Sequence, residues 1–335
     1  MTRVLHLDLG TGFRGGQRQV ALLAGAQAGV GRDVLVLTAS PALGRLLASL
    51  QVPHQQIPAN PWLRLPLLRR RARAFTLVHA HDARAHALGA LLGRPLLVHR
   101  RIDDPPRDRG TTRRKYQRGS FVAVSEAVGR VLAEYGVSAE RRRVVHSGVP
   151  VAEPVGPPQD GPLRVLTLGA LVAHKGHADL LDAASALPGI RFDLLGDGPL
   201  RSSLEARAPS NVRFLGDPAG SLPDLSPWDL LAHPSRTEGL GTAVLDAQAA
   251  GLPVLSTNAG GLPEATAPCC FSCPAGDPAA LAGVLRQIAD EPRDALRRRG
   301  RAARAWVHPR FSVERMRDEM DEAYTALLTT GTVNP

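Results

Sequence analysis

The sequence predicts an α/β protein of two doubly wound parallel-sheet domains facing a cleft, and three observations lead there. First, short apolar runs alternate with helical patterns, beginning with Val4 to Leu9, Asp33 to Thr38, Phe75 to His79 and Pro95 to His99. Strand, helix and strand in that order build a parallel sheet, because parallel neighbours need a crossover between them. Second, the opening combination of strand, glycine loop and helix returns after residue 163, so two similar units are expected. Third, 335 residues exceed what one hydrophobic core usually serves. The expected division is an N-terminal domain over 1–150, a linker over 151–162, a C-terminal domain over 163–310 and a last helix over 311–328.

Hydrophobic residues at 44% and charged residues at 21% place the chain among soluble globular proteins. No run approaches the roughly 20 apolar residues of a membrane span. The start, MTRVLHLDLGTG, lacks the features of a signal peptide and reads as a first strand, so a cytoplasmic protein is expected. The net charge is +10, and Lys115 and Lys175 are the only lysines among mostly arginine side chains. Such a charge permits peripheral contact with anionic lipid or phosphate but does not identify a partner. Cys269, Cys270 and Cys273 form a CCxxC cluster between Pro268 and Pro274, with no further cysteine to complete a zinc or redox set. Reduced thiols at a buried strand edge are expected.

In the first domain the strand from Val4 breaks at Gly10-Thr11-Gly12 and again at Gly15-Gly16, before the helical pattern Val20, Leu22, Leu23 and Ala26. Backbone at the Gly-Gly turn can approach a phosphate or a sugar hydroxyl closely. Later strand ends carry His79, His81, Asp82, His99, Arg100 and Arg101. His79 and His81 point to one face of a strand, which would suit a metal. No acidic ligand pair accompanies them and the chain contains no Asp-x-Asp, so no metal site is expected. Basic clusters at Arg69, Arg70, Arg71 and Arg73, and at Arg107, Arg109, Arg113, Arg114, Lys115 and Arg118, lack the interleaved aromatics on which bases stack. They read as solvated faces, and no nucleic-acid partner is expected. Phe121 to Val124 runs as a strand into Ser125-Glu126, and the Pro- and Gly-rich Val151 to Pro162 offers nothing to pack and reads as a hinge.

The second domain opens with the strand Arg164 to Leu168, Gly169, a loop ending at His174-Lys175-Gly176, and a helix bearing Leu180, Leu181 and Ala184. Phe192 to Leu195 and Val212 to Gly216 are further strands. From Asp229 to Glu264 the pattern is strand, glycine turn, helix, strand. A helix N-terminus at the carboxyl end of a parallel strand is a ready phosphate site. Glu238 and Asp246, on a continuous helix, would stand about 12 Å apart. That exceeds the roughly 5 to 9.5 Å between glycosidase carboxylates, so the pair suits the two ends of a long ligand. Asp277 caps a helix bearing Leu281, Val284, Leu285 and Ile288, and a core stripe (Val313, Met316, Met320, Ala323, Tyr324, Leu327) follows Ser312.

Pro234, Ser235, Glu238, Gly239, Gly241, a second acid eight residues after the first, and then Gly251, Pro253, Val254, Gly260, Gly261 and Glu264 form a specific combination. It resembles the retaining, nucleotide-sugar-dependent glycosyltransferases of family 4 (glycosyl transferases group 1), whose GT-B fold pairs two Rossmann-like domains. The chain departs at Asp246, one methylene shorter than the family's usual glutamate. The resemblance covers nearly the whole chain and implies that the last helix, 311–328, crosses back to the N-terminal domain and that Lys175, six residues after Gly169, holds the leaving diphosphate. Ala170 stands where the family has arginine, and Arg236 is placed to supply the missing charge. By resemblance, Gly15, Gly16, Lys175, Gly198, Glu238, Gly239, Leu240, Gly241, Thr242 and Asp246 bind the donor. The catalytic residues implied are Glu238, Lys175 and His99, and the acceptor side is lined by His79, His81, Arg100 and Arg101. Which of His99, Arg100 and Arg101 takes the place of the family's usual histidine stays open. AVSEAV and VVHSGVP match segments that close the first domain, with Ser147 and Pro150 at the variable ends of the second.

The expected function is metal-independent, retaining transfer of a hexosyl group from a UDP- or GDP-type sugar to a cell-envelope glycan or lipid-linked acceptor, with no cofactor. A sugar-nucleotide epimerase of the same fold and a catalytically impaired GT-B binding protein are the alternatives.

Overall fold

The structure, a computed structural model, describes residues 2–58, 61–106, 110–156, 160–217 and 222–329, the side chains of 61–63 excepted. Arg107, Arg109 and the middle of the proline-rich segment, 157–159, lie outside the described residues. The chain divides into two compact units, Met1–Gly148 with Val313–Pro335, and Val149–Ser312.

The first unit runs β1 (Val4–Asp8), α1 (Gly15–Gly29), β2 (Val34–Thr38), α2 (Pro41–Ser49), β3 (His54–Gln56), α3 (Pro61–Ala72), β4 (Leu77–Ala80), α4 (Ala83–Gly89), β5 (Leu96–Arg100), α5 (Gly110–Tyr116), β6 (Ser120–Ala123), α6 (Glu126–Glu134) and β7 (Arg142–Val144). Its strands pair in parallel in the order β3-β2-β1-β4-β5-β6-β7. β1 is VLHLD and buried at every position, as a central strand covered by helices on both faces must be. The chain winds outward from β1 and then returns to lay β4 on the other side of β1. That reversal is a topological switch point, and it opens a crevice at the carboxyl ends of β1 and β4.

The second unit repeats the plan with β8 (Arg164–Leu168), α7 (His177–Ser185), β9 (Arg191–Leu195), α8 (Arg201–Glu205), β10 (Val212–Gly216), β11 (Leu230–His233), α9 (Thr242–Ala249), β12 (Val254–Thr257), α10 (Leu262–Ala265), β13 (Phe271–Cys273), α11 (Pro278–Asp290) and α12 (Arg293–Arg310). The order is β10-β9-β8-β11-β12-β13, all parallel, with the switch point at β8 and β11. Leu180, Leu181, Phe192, Leu194, Leu230 and Leu285 share one core. The last helix, α13 (Val313–Thr329), belongs to the first unit, where Met316, Met320, Ala323 and Tyr324 pack with Val20, Leu23 and Ala24.

Several expectations change here. Residues 151–156 are not a loose hinge: Val155 N–H donates to Ala250 O, Gly156 N–H to Ser226 Oγ, and Arg304 to the carbonyl of Ala152. Backbone hydrogen bonding, which needs no apolar side chain, holds a segment that composition marks as free. Glu238 lies in the loop before α9 rather than on it, so the helical spacing to Asp246 does not apply. Arg69, Arg70 and Arg71 occupy the last turn of α3, and Arg113, Arg114 and Lys115 that of α5. There they meet the negative end of the helix dipole, which is a structural use of the charge. The cysteines do sit at a sheet edge, on and before β13. Burial pushes the Cys270 thiol up to about 12 and that of Cys273 to about 11, so both remain protonated and unreactive.

Gly300 of α12 packs directly on the turn after α9, where an added Cβ would stand 1.9 Å from Gly251 O. Gly300→Ala is therefore expected to destabilise the second unit by about 1 to 3 kcal/mol, read as a lower denaturant midpoint. Gly283→Ala, on α11 with nothing within 4 Å of the new methyl, should instead stabilise by up to about 1 kcal/mol.

Candidate functional site

In the second unit, the loops leaving β8 and β11 meet at the switch point. Gly176 has φ +68, and an added Cβ would lie 1.9 Å from Pro234 O, so only glycine permits this approach. His174 O accepts from Arg236 N–H at 2.7 Å, tying the two loops by backbone. The Glu238 side is anchored as well, through Glu238 O to Gly261 N–H at 2.9 Å and Ser235 O to Thr257 Oγ1. These ties deliver the Lys175 ammonium onto Glu238 Oε2, with the two side chains 19% and 16% exposed.

Glu238 Oε2 also lies 3.1 Å from His233 Nε2. Burial pushes the carboxyl up, but Lys175 and the bond from His233 outweigh it and hold the group well below the usual carboxylate range. Glu238 is thus ionised at any working pH. Gly241, at φ +91, caps α9 in a conformation suited to glycine, and Leu240 beside it is buried. Thr242 opens the helix, so the amides of its first turn lie in the same loop as Glu238. Asp246 is buried in the second turn of α9. Arg236 has its guanidinium forked on Asp179, at 2.8 and 2.6 Å, which commits its charge to that carboxylate. Gly198 packs its backbone against Leu171, where a Cβ would be 2.6 Å from the carbonyl oxygen. A cavity of about 300 Å³ beside Arg191 and Arg213 lies at the other, amino-terminal end of the strands. Its carboxylate, Asp193, already receives Arg213 and the Trp228 indole N–H.

In the first unit, the crevice at β1 and β4 holds His79, His81, His99 and Arg101 with His6, Asp8 and Asp82, which sequence reasoning did not single out together. Strand alternation sorts the open trio. His99 and Arg101 share a face and meet, with Arg101 donating to Nδ1 of His99 at 3.3 Å and of His81 at 3.2 Å. Arg100 turns the other way, to the Tyr116 hydroxyl and the carbonyls of Ile102 and Asp104, and is not brought into the cluster. Gly16, in the first turn of α1, faces the Arg101 side chain, 3.6 Å from its added Cβ, and Gly15 begins that helix.

The donors assign the proton positions. Arg101 occupies His81 Nδ1, so His81 carries its proton on Nε2 and gives it to His6 Nδ1 at 2.9 Å; His6 in turn donates to Gln27 Oε1 at 2.9 Å. The Tyr324 hydroxyl of α13 receives Gln27 and lies 2.8 Å from His79 Nδ1. His6, His79 and His81 bring three ring nitrogens within 4.8 Å of one another, a grouping able to hold a metal ion. Arg101 opposes that use, because a metal on His81 Nε2 would force the second N–H of the ring against guanidinium donors. Asp8, bonded by Gln17, has its carboxyl raised to about 6 by burial and by Asp82 nearby.

Burial, with neighbouring rings and Arg101, lowers every histidine of this cluster, His6 to about 4 and the other three well below the free value. A folded pKa below the free value of about 6.5 means that the unfolded chain takes up protons first as pH falls. Stability is therefore lost downward from pH about 6.5, by up to about 1.4 kcal/mol per pH unit for each histidine, and only Asp8 in the cluster opposes this. The urea midpoint is expected to fall between pH 7.5 and 5, and a flat or rising midpoint contradicts the neutral cluster.

Residues 162–291 match the family described as Glycosyl transferases group 1, and residues 13–153 match Glycosyltransferase Family 4. The chain is 32% identical over 182 residues to the glycogen synthase of Mycobacterium tuberculosis, covering 50% of this chain and 44% of that protein. It is 33% identical over 169 residues to the GDP-mannose-dependent monoacylated alpha-(1-6)-phosphatidylinositol monomannoside mannosyltransferase of Corynebacterium glutamicum, covering 45% and 44%. The chain thus spans less than half the length of these curated relatives. Among solved structures, Anabaena Alr3699/HepE in complex with UDP and glucose superposes with a TM-score of 0.85 at 21% identity, covering 97% of this chain and 100% of that one. Sucrose-phosphate synthase of Thermosynechococcus elongatus gives 0.80 at 19% identity, covering 99% and 100%. At these identities the likeness concerns the fold, which is GT-B.

Proposed function

This chain belongs to the glycosyltransferases of group 1 and family 4, and from that premise we propose that it moves a hexosyl group from a nucleotide-diphosphate sugar to an acceptor hydroxyl, with retention at C1. In that reaction the bond from C1 to the diphosphate oxygen breaks, the acceptor oxygen bonds to C1, and the hydroxyl proton leaves with the diphosphate. Negative charge builds on the departing oxygen, and fixed positive groups aimed at it lower the barrier. The observation that carries the reading is Lys175, held on Glu238 beside the N-terminus of α9 at the switch point of the second sheet.

In this reading the diphosphate takes the Lys175 ammonium and the first amides of α9, from Gly239 to Thr242. Glu238, kept ionised, receives sugar hydroxyls, Asp246 receives the ribose, and the Gly198 loop borders the base. In the first unit, His99 with Arg101, His79 and His81 serves the acceptor. Lys175 and the amides supply the positive charge, so no divalent metal and no cofactor enters. A cell-envelope glycan or a lipid-linked sugar is the proposed acceptor, supported by the likeness to a phosphatidylinositol mannoside mannosyltransferase. No helix among the described residues is long and apolar enough to cross a membrane. In this reading the protein works in the cytoplasm, and its arginine-rich first half serves contact with an anionic membrane.

Lys175→Ala is expected to lower kcat by about 10²- to 10³-fold, as loss of one preorganised donor to a developing charge does elsewhere. Glu238→Gln should abolish measurable transfer, and transfer by the wild type should persist in EDTA. Sugar release from UDP-glucose and GDP-mannose checks all three, and wild-type rates in either variant would overturn the reading.

A further inference from the structure

His233 ends β11, is 2% exposed, and interrupts an otherwise apolar strand, LLAH. Its Nε2 stands 3.1 Å from Glu238 Oε2 and 3.1 Å from Ser235 Oγ. Burial lowers its pKa, and Lys175 adds to this, so the ring is neutral and carries one proton. Facing an ionised carboxylate, that proton sits on Nε2 and is donated to Glu238. Nδ1 is left as a buried acceptor without a partner among the described residues. A leucine at this place would fill the strand end without that cost. The histidine thus weakens the core in order to set its Nε2 against the Glu238 carboxylate and the Ser235 hydroxyl.

That oxygen also receives Lys175, from a different loop. The reading above assigns the Lys175 ammonium to the diphosphate, and Glu238 then loses its cationic partner while its burial still favours the protonated carboxyl. Two neighbouring basic side chains are engaged elsewhere. His177, which also faces His233, has its Nε2 on Ala170 O, and Arg236 is forked on Asp179. Resting on that reading, we propose that His233 is a positioning residue, whose Nε2–H keeps Glu238 fixed and ionised when Lys175 turns to the diphosphate.

The test uses the whole chain labelled at glutamate Cδ, with the Glu238 resonance assigned by its absence in Glu238→Gln. In the wild type saturated with UDP the signal is expected to stay at its carboxylate position from pH 8 to 5. In His233→Leu with UDP it should titrate inside that range, because the carboxylate loses its imidazole donor while burial still favours the protonated form, and sugar release from UDP-glucose should fall about 10-fold with KM nearly unchanged. His233→Gln, whose amide N–H can replace the lost donor, should restore both the flat titration and most of the rate. A Glu238 signal that stays flat in His233→Leu overturns the proposal, as does His233→Gln behaving like His233→Leu. If the leucine variant fails to fold, the glutamine variant against His233→Ala reads the same contrast. The two levels separate cleanly: a Glu238→Gln variant that still transfers sugar, or a wild type that binds neither UDP nor GDP, sinks the donor-site reading itself.

Discussion

The close backbone approach of Gly176 to Pro234 is the constraint on which the second unit's chemistry depends. A parallel sheet places the loops after β8 and β11 side by side, but only a residue without Cβ lets them touch. Contact brings Lys175 to Glu238, and the pair in turn fixes an ionised carboxylate and a cation next to the start of α9. Remove the approach and the three components of the proposed phosphate site would remain in the sequence without being assembled.

The first unit shows a different economy. Its crevice is filled by neutral imidazoles whose proton positions are dictated from one end by Arg101 and from the other by Gln27 and Tyr324. Tyr324 belongs to α13, at the far end of the chain, and reaches the strand-end histidines because that helix packs on α1 within this unit. The network is polar and directional, and three of its buried atoms, Nε2 of His79, Nε2 of His99 and Nε of Arg101, have no partner among the described residues. Such a buried network specifies one arrangement of its members.

Much of this was legible from residue patterns, for identifiable reasons. β8 falls on the apolar run read for it, since a central parallel strand is a nearly continuous hydrophobic stretch, and the edge strand β10 was legible through Val212, Phe214 and Leu215. β3 and β7 are HQQ and RRV, short edge segments with no apolar run to announce them. α12 was missed because RDALRRRGRAARAWVHPR shows few apolar side chains, and its buried stripe relies on Gly300 and Ala303. At the proposed sites, the family resemblance singled out Lys175, Glu238 and the glycines. His233 and His6 lay hidden as single polar residues in strands, visible only once register set His6 opposite His79 and the loop carried Glu238 back to His233. The preference for Arg101 over Arg100 was available from strand alternation alone.

The central claim is that the second unit's cation and helix start form a diphosphate cradle. A crystal structure of the protein with UDP or GDP tests it most directly. The account predicts phosphate oxygens within hydrogen-bond reach of Lys175 Nζ and of the amides that open α9; a nucleotide bound elsewhere, with Lys175 still on Glu238, would contradict it.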